Sequence, residues 1–234
     1  MVPDLGSPVS RLQANHMIHR CFPALLGAFA GLVLASAGAS AHPHVWVTVK
    51  SDLVYAPDGS VVGVRHAWTF DDMFSTFATQ GIASKEKGQF TREELAPLAE
   101  VNVDSLKEHD FFTYATADGK RIEFNEPPTG YYLDFNPKDT VLTLHFTLPL
   151  KTPVKAKALT VEVYDREFFV DFGFAEKSPA KLVDASAQCK LSVVNPEQMD
   201  VSLVQQLSQL AAGQRDPALT IGSEYANKIV VKCP

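Results

Sequence analysis

The sequence predicts an α+β fold, mainly antiparallel β in hairpins, sandwich-like in its layering, with two or three helices. Three observations carry that prediction. Short runs alternate apolar and polar residues over much of the chain. Neighbouring runs are separated by turns rich in Pro, Asp, Asn and Gly. The strand–helix–strand rhythm of a parallel sheet is missing.

Val45 to Tyr55 alternates and is rich in β-branched residues, so it reads as a strand. Pro57-Asp58-Gly59 is a turn, and Val61 to Phe70 returns from it to make a hairpin. Asp71-Asp72 ends that strand. Either carboxylate can cap a short helix through MFSTFATQ, whose first amides need an acceptor. Gly81 to Gly88 is a link. Thr91 with Glu94 three residues on makes a capping box for a helix from Arg92 to about Leu106, which Pro97 is placed to kink. From Phe111 the period changes to two. Phe111 to Ala115 and Arg121 to Phe124 form a second hairpin around Asp118-Gly119. Tyr131 to Phe135 and Val141 to Leu148 form a third around Asn136-Pro137-Lys138-Asp139. Leu159 to Tyr164 and Phe168 to Phe172 are strands around Asp165-Arg166-Glu167. Val201 to Leu210 reads as a short helix, and CKLSVV and KIVVKC as strands. A break near Pro149 to Ala156 suggests an N-terminal β/helix subdomain, residues 42–150, and a C-terminal β subdomain, residues 151–234.

Residues 1–41 have the parts of an export signal. Arg11, His16, His19 and Arg20 make a weakly basic leader, and Cys21 to Ala35 is apolar. That stretch falls short of the roughly 18 residues of a membrane span. Ala39-Ser40-Ala41 closes the signal; a cut after Ala37 also satisfies the small-residue rule, and Met17 is an alternative start. Cys21 follows Ile18-His19-Arg20, which is not a lipobox. The expectation is a periplasmic protein with no stable membrane anchor after cleavage. Cleavage at Ala41 removes two of 21 basic and one of 27 acidic side chains, leaving 19 against 26 and a net charge of −7. Such a balance disfavours nucleic acid and mildly favours cations. No Gly-rich phosphate loop, HExxH or GxSxG occurs, so no enzyme class is indicated.

The same cut leaves His42 at the new N-terminus. A terminal histidine offers its α-amine and ring Nδ1 to one metal ion. His42 and His44 share a face in extended chain. Pro43 lacks an amide hydrogen, which excludes a square-planar site built on deprotonated backbone amides at the second and third positions. An amine with two imidazoles remains, suited to nickel, cobalt, zinc or copper. The bland alternative is a frayed terminus with solvated histidines. His66 shares a strand face with Trp68 and Phe70 and is a second-rank ligand; its alternative is a satisfied core histidine. Asp71 is another second-rank ligand, with helix capping as its alternative. His109 and His145 read as a helix-end and a half-exposed strand histidine. Cys189 and Cys233, an even pair after export, read as a disulfide closing a loop of about 44 residues, worth roughly 4 kcal/mol; a thiolate ligand pair is the rival.

HPHVWV, HAWTFDDMFS, VYDREFFVDF and the C-terminal cysteines resemble an uncharacterised periplasmic family, a domain of unknown function labelled the periplasmic component of an ABC-type transport system. The shared positions are His42, His44, Trp46, Trp68, Phe70, Asp71 and Asp165. The chain departs from the family pattern at Asp165-Arg166-Glu167, where a turn with Pro is usual. The resemblance implies an accessory to nickel/cobalt-type permeases. The function expected is binding or delivery of a divalent transition metal ion to an inner-membrane permease. The alternatives are a structural or interaction module without metal, and a copper-dependent redox enzyme built on the terminal histidine.

Overall fold

Two strands from the N-terminal half set the frame, β1 (Val45–Tyr55) and β2 (Val61–Phe70). The computed structural model describes residues 45–127, 130–166, 169–195, 223 and 225–234. The expected export leader, His42, His44 and the expected Val201–Leu210 helix lie outside the described residues. The β1–β2 turn is held by Asp58, whose carboxylate accepts from the Ser60 amide and hydroxyl at 3.0 and 2.6 Å. Gly59 takes φ +85° there, a conformation that costs a glycine little.

Two helices follow, α1 (Asp72–Ala78) and α2 (Arg92–Lys107). Thr91 and Glu94 form the expected capping box, and α2 runs unbroken through Pro97. The remaining strands are β3 (Thr113–Ala117), β4 (Lys120–Ile122), β5 (Tyr132–Asn136), β6 (Val141–Val154), β7 (Ala158–Val163), β8 (Val170–Phe174), β9 (Ala180–Val183), β10 (Lys190–Val194) and β11 (Asn227–Lys232).

They form two sheets. The first has the order β5-β6-β2-β1-β8, antiparallel from β5 to β1. Along the far edge of β1 lie two short parallel strands in succession: β8 against Val45–Val49, then β9 against Ser51–Val54. The second sheet, β10-β11-β7-β3-β4, is antiparallel throughout. The fold is therefore α+β and mainly antiparallel, with a parallel edge that the hairpin pattern does not announce. β7 and β8 flank the Asp165 turn as expected, yet they enter different sheets.

The long strands serve two cores. One joins Val47, Val49, Trp68, Leu144 and Phe146 to Leu95, Ala99 and Val103 of α2. The other joins Leu53, Val64 and Leu150 to Leu159, Val161, Ile229 and Val231 of the second sheet. β6 carries Leu148 in the first core and Leu150 in the second, and so runs through the division expected at residue 150.

Phe111 and Phe112 do not begin β3 as their period suggests. Asp110, Phe111 and Phe112 form a 3₁₀ turn with φ of +53°, +52° and +46°. Three successive side-chain-bearing residues in left-handed space are strained. Both phenylalanine rings are buried in the first core, and that burial offsets the strain.

Cys189 and Cys233 are bonded and tie the start of β10 to the end of β11. Replacing both by serine is expected to lower unfolding free energy by roughly 4 kcal/mol in urea titrations. Gly63 lies where a Cβ would stand 2.6 Å from the Leu148 carbonyl oxygen. Gly63→Ala must push β2 from β6, and about 1–3 kcal/mol of destabilisation is expected in the same assay.

Candidate functional site

The site is best built from Asp71, where β2 ends and α1 begins. Its backbone is extended, at φ −62° and ψ 164°, and its Oδ1 accepts from the Phe74 amide at 2.7 Å. This is an N-cap, needed because the first helical amides have no partner within the helix. Its Oδ2 accepts from the Trp46 amide at 2.9 Å, and the Asp71 amide donates to the Trp46 carbonyl at 2.9 Å. The two oxygens thus divide two tasks: one starts α1, the other holds the first residues of β1. Ser75 extends the connection. Its hydroxyl donates to the Asp71 carbonyl at 2.7 Å and accepts from the Leu142 amide at 2.9 Å.

A second carboxylate arranges the neighbouring strand. Asp165 is buried, and its Oδ2 accepts from the amides of Phe169 and Val170 at 2.9 and 3.0 Å. Those bonds set the start of β8, which pairs Val170 with Val45 and Asp171 with Trp46. Asp171 is solvent-exposed along β8, yet desolvation raises its carboxyl above the usual range. The sequence reading did not single out Asp171, because nothing local shows that β8 lies beside β1. Trp46, Asp71 and Asp171 therefore gather at the end of the first sheet where the chain from His42 and His44 enters.

His66 lies elsewhere and does a different job. It is 1% exposed, between β1 and β3, with Trp68 and Phe146 rings at 5.3 and 4.9 Å. Nδ1 is 2.8 Å from the Ser51 hydroxyl, and Nε2 is 3.3 Å from the Thr113 hydroxyl. Thr113 gives its own proton to the Phe111 carbonyl at 2.8 Å. Its oxygen must then accept from His66 Nε2–H, and Nδ1 must accept from Ser51. The hydrogen-bond logic assigns a neutral Nε2–H imidazole. Burial pushes its pKa down to about 3. Both ring nitrogens are engaged, so the imidazole acts as a spacer linking β1, the strained turn and β3. The Trp68 indole N–H beside it has no hydrogen-bond partner among the described residues.

The other described histidines are also placed by packing. His145 stacks on Tyr132 at 4.6 Å and lies 3.3 Å from the Asp134 carboxylate, which Arg92 grips at 2.6 and 3.0 Å. Burial lowers the His145 pKa, with Asp134 opposing. This cluster fastens the start of α2 to β5 and β6. His109 stacks on Phe112 with ring centroids 5.0 Å apart. Among the described residues no three His, Cys, Asp or Glu side chains meet in a metal-holding group. No described helix is long and apolar enough to cross a membrane.

Residues 27–233 match the family of proteins of unknown function DUF1007. The chain belongs to this family. DUF1007 is associated with nickel/cobalt-type permease systems, which gives the chain a transport-accessory context. An uncharacterised protein of Haemophilus influenzae is 24% identical over 216 residues, 92% of this chain and 99% of that protein. An uncharacterised 15.5 kDa protein in the trpE 3′ region of Spirochaeta aurantia is 32% identical over 96 residues, 41% of this chain and 66% of that protein.

Two outcomes follow from this geometry. Asp71→Ala removes a cap and leaves the Trp46 amide unpaired; a loss of about 1–2 kcal/mol is expected, with faster hydrogen exchange at Trp46 and Phe74. His66 stays neutral in the fold while an unfolded histidine takes up a proton below about pH 6.5. Its folded pKa is the lower one, so stability is lost as pH falls through that value. The expected slope is about 1.4 kcal/mol per pH unit from this residue, and its ring resonances should not titrate between about pH 8 and pH 5.

Proposed function

We propose that the mature protein is a periplasmic carrier of a divalent transition metal ion, nickel, cobalt or zinc, serving an inner-membrane permease. The ion is cargo, held by the α-amine and ring of His42 together with His44. The observation that carries this reading is the Asp71 latch. Its carboxylate is fixed on the Trp46 amide, two residues from His44, and each of its oxygens has a further lone pair. A fully extended chain advances at most about 3.5 Å per residue, so the terminal histidines cannot stray far from it. Asp71 either ligates the ion directly or orients a ligand imidazole. His66 belongs to the fold in this reading, because its nitrogens are spent on Ser51 and Thr113. The cystine fits an oxidising compartment, in keeping with export. The permease association of DUF1007 supports cargo transfer rather than an enzyme.

Exposed Met73 and Phe77 on α1 favour a second reading, an interaction module that carries no metal. Calorimetric titration of nickel into processed protein and its His42→Ala variant separates the two. The carrier reading expects affinity to drop by at least the roughly 10–100-fold seen when a metal site loses even an outer partner. Equal affinity in both proteins removes the terminal ligand, and no binding by either favours the module.

A further inference from the structure

Antiparallel pairing brings four strand ends of the second sheet onto one line. They are the start of β10, the end of β11, and the starts of β7 and β4. A lysine stands at each: Lys190, Lys232, Lys157 just before β7, and Lys120. Lys190 and Lys232 are directly opposite in the ladder, and Lys232 is opposite Ala158. The Lys157 carbonyl accepts from the Cys233 amide at 2.8 Å. The Lys157 amide donates to the Asp118 carboxylate, two residues before Lys120, at 3.0 Å. Backbone pairing and these bonds hold the four positions on adjoining segments. Neighbouring strands lie about 4.8 Å apart, so the line from β10 to β4 is about 19 Å long. All four lysines are exposed, and none forms an ion pair among the described residues. Like charges directly opposite each other weaken an antiparallel pair. The fold carries the Lys190–Lys232 repulsion although both side chains are on the solvent side of their strands.

We infer that this end of the second sheet docks on an anionic lipid surface, the face of the inner membrane. Charge selects the occupant. On segments 117–120, 156–158, 184–190 and 231–234 the acidic side chains are Asp118 and Asp184, against the four lysines. The whole sequence carries a net charge of −6, so its acidic excess lies elsewhere. Repulsion of that remainder turns the lysine end toward a negative surface. Protein interfaces are depleted in lysine and enriched in aromatic residues and arginine. These segments hold no aromatic residue and no arginine; Arg121, next along β4, lies 3.8 Å from Asp110 instead. None of the large exposed apolar side chains is on them either. A lysine ammonium is a hydrated point charge on a flexible stem, suited to a plane of headgroup phosphates with no fixed geometry. A line of such charges along one sheet end meets a plane all at once. The inference goes beyond the carrier reading and requires no metal.

The test is sedimentation of processed protein at low salt with two kinds of vesicle. One is phosphatidylglycerol mixed with phosphatidylcholine, the other phosphatidylcholine alone. Binding is expected to the first and not the second, and it should fall as salt is added. Lys190→Gln/Lys232→Gln is expected to bind about 25-fold more weakly, at about fivefold per lysine, and Lys120→Gln/Lys157→Gln to match it. Lys50→Gln/Lys87→Gln alters net charge equally at exposed positions outside the second sheet and should bind as the unaltered protein does. Relieving the Lys190–Lys232 repulsion should hold or raise the melting temperature, which separates lost binding from lost fold. Equal sedimentation with both vesicles, wild-type binding by Lys190→Gln/Lys232→Gln, or an equal loss in the control pair would each overturn the inference. So would failure of the unaltered protein to bind phosphatidylglycerol, which would leave an acidic protein surface as the occupant. His42→Ala keeps the two ideas apart: its vesicle binding should be unchanged whatever happens to its nickel affinity.

Discussion

The structure depends on a ladder of three long strands, β1, β2 and β6, shared between two cores. Their register aligns Val49, Trp68 and Leu144 in one row and Leu53, Val64 and Leu148 in another. The first row faces α2 and the strained turn, and Leu53 and Val64 of the second face the sheet of β7 and β11. Side chains alternate with a period of two, so a slip of one residue would turn Trp68 and His66 to solvent and Arg65 and Thr69 inward. One register thus serves two hydrophobic clusters at once.

Carboxylates fix the end of that ladder. Asp71 and Asp165 each accept two backbone amides, and those amides belong to the starts of β1, α1 and β8. Bonds from an amide to a charged acceptor are stronger than neutral ones, and here they act where strand pairing runs out. The result is a defined place for the chain entering from His42, bordered by Trp46 and Asp171.

A neutral hydrogen-bond chain holds the interior. Ser51 donates to His66, His66 to Thr113 and Thr113 to the Phe111 carbonyl, so these polar atoms are satisfied without a charge. The arrangement joins β1, β2 and β3 across the two sheets and pins a turn whose backbone is costly by itself. Protonation at Nδ1 would force the Ser51 hydroxyl to turn from donor to acceptor, and burial opposes the charge. Burial is what makes this imidazole resist charge.

Much of the fold was legible in the sequence. β1 and β2 keep the bounds their alternation marks, Thr91 and Glu94 announce α2, and the even cysteine pair forms its bond. These are local properties: period, turn chemistry and capping act within a few residues. Asp71 was legible as a cap and also suspected near a site, but only packing shows that one oxygen caps while the other holds β1. The parallel pairing of β8 and β9 with β1, the left-handed turn at Phe111 and the partners of His66 had no local signal. Each is decided by a partner distant in sequence: β1 offers a free edge, the core accepts two rings, and Thr113 meets an imidazole 47 residues away. Alternation specifies which face of a strand is buried, whereas only the assembled sheets specify what it is buried against.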